Sequence, residues 1–127
     1  MTAVLISVKK MLFNKTQNKI ITNSVHYCNN FFTQGNGLMF RSKQSVKDTA
    51  WIFPFNKPKN LTVTMWFVFY PLDLVFLDKN KKILNLKSSI LPFSNYKPGV
   101  KFSYLVELES GVIKKQRLKV GEKLKFD

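Results

Sequence analysis

The stretch LTVTMWFVFYPLDLVFLDKNKKILNLKS, residues 61–88, decides the fold. Its first ten residues alternate. Leu61, Val63, Met65, Phe67 and Phe69 fall on one face of an extended chain, and Thr62, Thr64, Trp66, Val68 and Tyr70 on the other. The polarity contrast fades after Met65, which predicts a strand that becomes buried on both sides. Pro71 has no N–H to give and interrupts the ladder. LDLVFLD then resumes as a strand, DKNKK predicts a hairpin turn, and ILNLKS leads back out. Within this bulk stands one carboxylate, Asp73. Burying it alone is costly, so two roles are open. It accepts backbone N–H groups where Pro71 breaks the ladder and pairs with a cation such as Arg41, or it faces a pocket. Buried charges have partners as a rule, which favours the anchor.

The rest of the chain keeps the same period. KMLFNKTQNKIITNSVHYC (10–28) reads as two strands around NKTQNK, and NNFFTQGNG (29–37) as a loop. Ser42 begins SKQSVKD, the one helical candidate. AWIFPFNKP (50–58) is a short apolar strand whose Pro54 and Pro58 predict an edge or a bend. SNYKPG is a turn. FSYLVELE (102–109) puts Phe102, Tyr104, Val106 and Leu108 toward the core, and Leu118, Val120, Leu124 and Phe126 follow around a turn at Gly121. Short strands at regular spacing predict a single mainly-β domain over 1–127. The expected form is an antiparallel β-sandwich, jelly-roll-like, or a partly open barrel with one short helix.

Charge bounds the partners. The 21 basic residues outnumber the 7 acidic ones, for a formal net charge of +14. Residues 1–47 and 79–106 contain no acid. This favours a polyanion, nucleic acid among them. Only Arg41 and Arg117 are arginines, however, and lysine reads bases poorly; a solvated lysine surface is the competing reading. Lys79, Lys81 and Lys82 concentrate at one predicted hairpin tip. Cys28 is the single cysteine, so no intramolecular disulfide forms and a reducing compartment is expected. MTAVLISVKK lacks the order of a secretory signal. The longest apolar run, 65–77, is broken by Pro71 and Asp73 and falls short of the ~20 residues of a spanning helix. A cytoplasmic protein without a transmembrane segment is expected.

GLMFR (37–41), AWIFPF (50–55), PLDLVFLDKNKK (71–82), YLVELESG (104–111) and LKVGEKL (118–124), in this order, resemble the small bacterial and archaeal family known as domain of unknown function 192. The similarity spans roughly 9–127. It implies a mainly-β, sandwich-like fold and no established activity. Bacterial members are often secreted, whereas this chain looks like the archaeal, intracellular type. Many bacterial members carry Trp-Met-Lys-Asn-Thr before the Pro-Leu-Asp. Here the matching positions are Thr64, Met65, Trp66, Phe67 and Val68, so the polar Lys-Asn pair is replaced by Trp66 and Phe67.

Three residues carry the candidate chemistry. Arg41, ending an apolar triplet, suits bidentate fixing of a carboxylate, whether an internal Asp or a ligand acid. Asp73 and Glu107 would serve as a carboxylate pair only if the fold brings them together; an exposed or salt-bridged strand position is the default for Glu107. His26 and Cys28 lie two apart on one strand face, but one Cys and one His are too few for a structural zinc site, and no third residue orients the histidine. No catalytic residue, metal site or cofactor is assigned. Aromatics at Trp51, Trp66 and Tyr70 would stack on bases or sugars if exposed. The leading expectation is a small binding module for an anionic ligand. The alternatives are an enzyme acting through Asp73, Glu107 and Arg41, and a protein-interaction domain using an exposed sheet edge.

Overall fold

A computed structural model describes residues 10–28, 38 and 41–126. The predicted loop at 29–37 and the first nine residues lie outside them. The strands are β1 (Leu12–Asn14), β2 (Lys19–Thr22), β3 (Ser24–Tyr27), β4 (Thr49–Lys59), β5 (Val63–Thr64), β6 (Leu72–Leu77), β7 (Ile83–Ile90), β8 (Asn95–Tyr96), β9 (Phe102–Glu109) and β10 (Leu124–Lys125). A 3-10 helix covers Lys43–Val46, and a single helical turn, α1, covers Val112–Lys115. The mainly-β, sandwich-like expectation holds. SKQSVKD does turn helically, although Ser42 makes no side-chain cap. A second helical segment, α1, was not expected.

A five-stranded sheet ordered β3-β4-β9-β6-β7 forms the centre. One face is covered by the β5–β8 pair and the 3-10 helix, through Val63, Met65, Val68, Tyr70 and Val46 packing on Trp51, Leu74 and Phe76. The other face is covered by the sheet β10-β1-β2 and by α1, through Leu12, Ile21, Leu124, Phe126 and Ile113 packing on Ile52, Val75, Leu77 and Val106. Three layers leave β6 with no solvent face, and all six of its residues are buried. A continuous apolar run is what such a strand requires.

Four local readings need correction. LTVTMWFVFY is not one strand: β5 ends at Thr64 and the chain turns, with Val68 N–H donating to the Met65 carbonyl at 3.1 Å. The doubly buried strand is β6, one segment later. The β4 strand is central, not an edge. Its prolines act as a bend, because register with β9 slips between Pro54 and Lys59. Residues 10–28 make three strands, and β3 pairs parallel with β4, so the sheet is mixed. Finally, Asn95–Tyr96 within the expected SNYKPG turn is a short strand paired with β5.

Two turns present aromatic residues in an unusual backbone. In the turn 65–68 Phe67 takes φ 59°, and in the turn 91–94 Phe93 takes φ 60°. Both occupy the third position, where a type II turn selects glycine. For a side chain with a Cβ this costs roughly 1–2 kcal/mol. The Phe93 N–H donates to the Met65 carbonyl at 2.9 Å and locks the two turns together.

Candidate functional site

Asp73 is completely buried. Its Oδ1 accepts the Ser89 N–H at 2.7 Å, and its Oδ2 accepts the N–H groups of Gly111 at 3.1 Å and Ile113 at 2.9 Å. All three donors are backbone, so the expected anchor role is observed and the Arg41 pairing is not. Both oxygens are committed, and Asp73 faces no open site.

Register separates the two carboxylates. Asp73 lies opposite Leu108 on β9, while Glu107 lies opposite Leu74. Successive side chains alternate faces, so Asp73 and Glu107 point into different layers and form no carboxylate pair. Glu107 is also not the exposed residue expected. It is 7% exposed and sits between Trp51 on β4 and Leu74 on β6. Among the described residues no hydrogen bond reaches its carboxylate. Burial pushes its pKa up to about 8, since taking a carboxylate from water penalises the charged form.

Around Glu107 gather groups that the sequence left scattered. The buried Cys28 thiol is pushed up to about 12, first by burial, then by the Glu107 charge, with Arg41 opposing. The Tyr70 hydroxyl is raised for the same reasons, and it donates to the Ser42 carbonyl at 3.2 Å. Exposed Arg41 places its guanidinium 5.1 Å from the Trp51 ring, and His26 stacks on the same indole at 4.1 Å. The Trp51 Nε1–H is held by the Ser45 carbonyl at 2.9 Å. Arg41 and Glu107 therefore share one layer and Asp73 the other. A thiol this protonated is inert. Native Cys28 should label with a thiol reagent at pH 8 at least about a hundredfold more slowly than in urea; equal rates would show an accessible, activated thiol.

The lysines converge at the opposite end of β6 from the aromatic turns. Phe13 pairs with Lys125 and Asn14 with Leu124. The Lys15 N–H donates to the Lys123 carbonyl at 2.8 Å, which continues that register, and Lys82 bridges Lys123 on the other side. Lys15, Lys123 and Lys82 thus stand on three adjacent segments, all exposed, with exposed Lys125 two residues along. Among the described residues the carboxylates nearest in sequence accept hydrogen bonds from amides. Asp78 Oδ1 accepts the N–H groups of Asn80 and Lys82 inside the turn. Glu122 is buried and accepts from Asn14, Gln17 and the Lys119 N–H. Lys79 and Lys82 are exposed as expected. Lys81 is not free: its Nζ donates to the Phe126 carbonyl at 2.7 Å and sits 4.3 Å from that ring.

A cleft of about 210 Å³ between the 3-10 helix and α1 is lined by Lys47, Asp48, Glu109 and Lys115. It is smaller than the roughly 300 Å³ at which ligand pockets begin and holds none of the candidate residues. Among the described residues no three His, Cys, Asp or Glu side chains group as metal ligands. No helix among them is long and apolar enough to cross a membrane.

The model of the family DUF192, described as uncharacterised ACR, matches residues 12–126. A UPF0127 protein of Thermococcus sibiricus is 28% identical over 117 residues, covering 92% of this chain and 75% of its own. One of Pyrococcus furiosus is 29% identical over 116 residues, covering 91% and 97%. In three dimensions the chain is similar to a protein of unknown function from Novosphingobium aromaticivorans, with TM-score 0.79, 19% identity and coverage of 98% and 91%. It is also similar to a Sinorhizobium meliloti protein named as a candidate transcription regulator, with TM-score 0.78, 20% identity and coverage of 97% and 98%. At these identities the structural likeness shows the fold alone.

Proposed function

We propose, from the premise that the chain belongs to the DUF192 family of uncharacterised proteins, that it is a binding module for a polyanion, with nucleic acid as the ligand class. One observation carries this reading. Lys15, Lys123 and Lys82 lie on adjacent paired segments, and the carboxylates nearest to them in sequence among the described residues, Asp78 and Glu122, are turned to amide donors. Like charges placed opposite one another across strands destabilise the ladder. A row kept at that cost suits a chain of phosphates, each of which releases counterions when neutralised. Lysine supplies point charges and little base readout, so sequence preference is slight.

The enzyme reading loses its premise, because Asp73 and Glu107 belong to different faces of the central sheet.

The test replaces Lys15, Lys82 and Lys123 with glutamine and leaves Lys81 in place, since Lys81 holds the Phe126 carbonyl. Anisotropy titration of a labelled oligonucleotide across a salt series should show wild-type affinity falling steeply with salt. In the variant the slope of log K against log salt should shrink by about 2–3, from roughly 0.7–0.9 per lost contact. Thermal stability should be unchanged or higher, because the like-charge opposition is removed. No affinity at low salt, or a slope unaffected by the three substitutions, would reduce the lysines to solvated surface.

A further inference from the structure

At the start of β6, away from the lysine row at its end, the two aromatic turns make a second surface. Trp66 is 52% exposed, Phe69 61% and Phe93 42%, with exposed Phe67 and the aliphatic Leu61 and Leu91 in the same segments. Phe93 is the hub: its ring lies 5.9 Å from Trp66, 5.8 Å from Phe67 and 5.4 Å from Phe69. Large side chains placed in water at turn tips contribute little to a core. Two of them also hold a backbone conformation in which glycine would be relaxed. Local rules broken without a packing gain mark a functional surface.

The geometry points to this paired turn as a docking surface for an anionic membrane, with Trp66, Phe67, Phe69 and Phe93 seated at headgroup depth. Three observations select that occupant. The two turns are hydrogen-bonded to each other through Phe93 and Met65, so their four exposed rings are presented together, as entry into a yielding interface requires. Its rings meet edge to face, at 78° for Trp66–Phe93 and 71° for both Phe67–Phe93 and Phe69–Phe93. Rings set edge to face offer no parallel platforms on which successive nucleobases would stack. Charge supplies the third argument. Residues 49–72 and 79–106, which contain both turns, hold no acid, and the whole chain carries +14. A second copy would meet that charge with its own, whereas anionic lipid attracts it. Exposed tryptophan and phenylalanine are side chains that settle at such interfaces, and the net charge of the chain supplies the attraction toward an anionic one.

The experiment is co-sedimentation of the full chain with vesicles of mixed phosphatidylglycerol and phosphatidylcholine, with vesicles of phosphatidylcholine alone as control. Wild type should partition onto the anionic vesicles, with a blue shift in tryptophan emission. That shift reports Trp66, because Trp51 is already buried. Trp66→Ser with Phe93→Ser should lower partitioning at least about tenfold. Phe67→Gly with Phe93→Gly should lower it likewise while raising the unfolding midpoint, which separates lost binding from lost folding. Both pairs should leave oligonucleotide binding at the lysine row intact, so this inference and the polyanion reading fail independently. Wild-type protein that stays in the supernatant would overturn the proposal, as would variants that partition like wild type. So would an apparent mass of twice 14.8 kDa that returns to monomer in both variants, or an oligonucleotide affinity lost with the aromatics.

Discussion

Replacing Asp73 with alanine should lower the free energy of unfolding by roughly 3–5 kcal/mol, among the largest losses a single substitution produces. Three buried or half-buried backbone N–H groups, on Ser89, Gly111 and Ile113, would lose their acceptor together. Each unsatisfied donor costs ~1–3 kcal/mol. The Asp73→Asn variant separates shape from charge. Its carbonyl oxygen can still accept from Ser89, but its amide then points N–H groups at Gly111 and Ile113, so most of the loss should remain. Urea titration of the three proteins measures this. A wild-type midpoint in either variant would mean that the carboxylate is not the clasp its geometry describes.

Stability should fall as pH rises from about 5 to 8, and Glu107 should be the cause. The folded-state pKa of Glu107 is raised to about 8, above the roughly 4.3 of an unfolded glutamate. Below the lower value both states hold the proton and Glu107 adds no pH dependence. Between the two values only the folded state holds it, so each pH unit favours unfolding by about 1.4 kcal/mol. Above the folded value the loss is complete, at an upper bound on the order of 5 kcal/mol. Glu107→Gln presents a neutral group of the same size, and its stability should stay flat over this window. Every other titratable group is common to both proteins, so the difference between the two profiles isolates Glu107. Parallel profiles would show that water reaches the carboxylate.

Asp73 was readable because its chemistry is local in kind: a lone acid in an apolar strand beside a proline needs donors. Which donors was not readable. Gly111 and Ile113 lie 38 and 40 residues away, and α1 has no side-chain cap from its own segment. That absence also hid α1 itself, whose first amides are held by a strand of the central sheet. Glu107 was misjudged because period two predicts which face a residue takes, not what covers that face. The covering layer is built from β5 and β8, two residues each, too short to leave a periodic signal. The turn at 65–68 escaped notice for a related reason. Phenylalanine stands where glycine would have announced a break, so the alternation of 61–70 ran on unbroken in sequence. Parallel pairing of β3 with β4 depends on a connection through residues 28–48, and no turn signal encodes direction.

The margins of the central sheet bear on how the molecule behaves in a crowd. The outer side of β7 is already engaged at its start, where the Ile83 N–H donates to Glu122 and the Gly121 N–H donates to Ile83. Midway it carries exposed Lys87, and near its end Ser89 turns to φ 49°. At the opposite margin β3 is four residues long. Neither border offers the long, flat, unpaired backbone onto which another chain can zip. Strand-by-strand templated growth, the route to fibrils, is thereby disfavoured at both borders of this sheet.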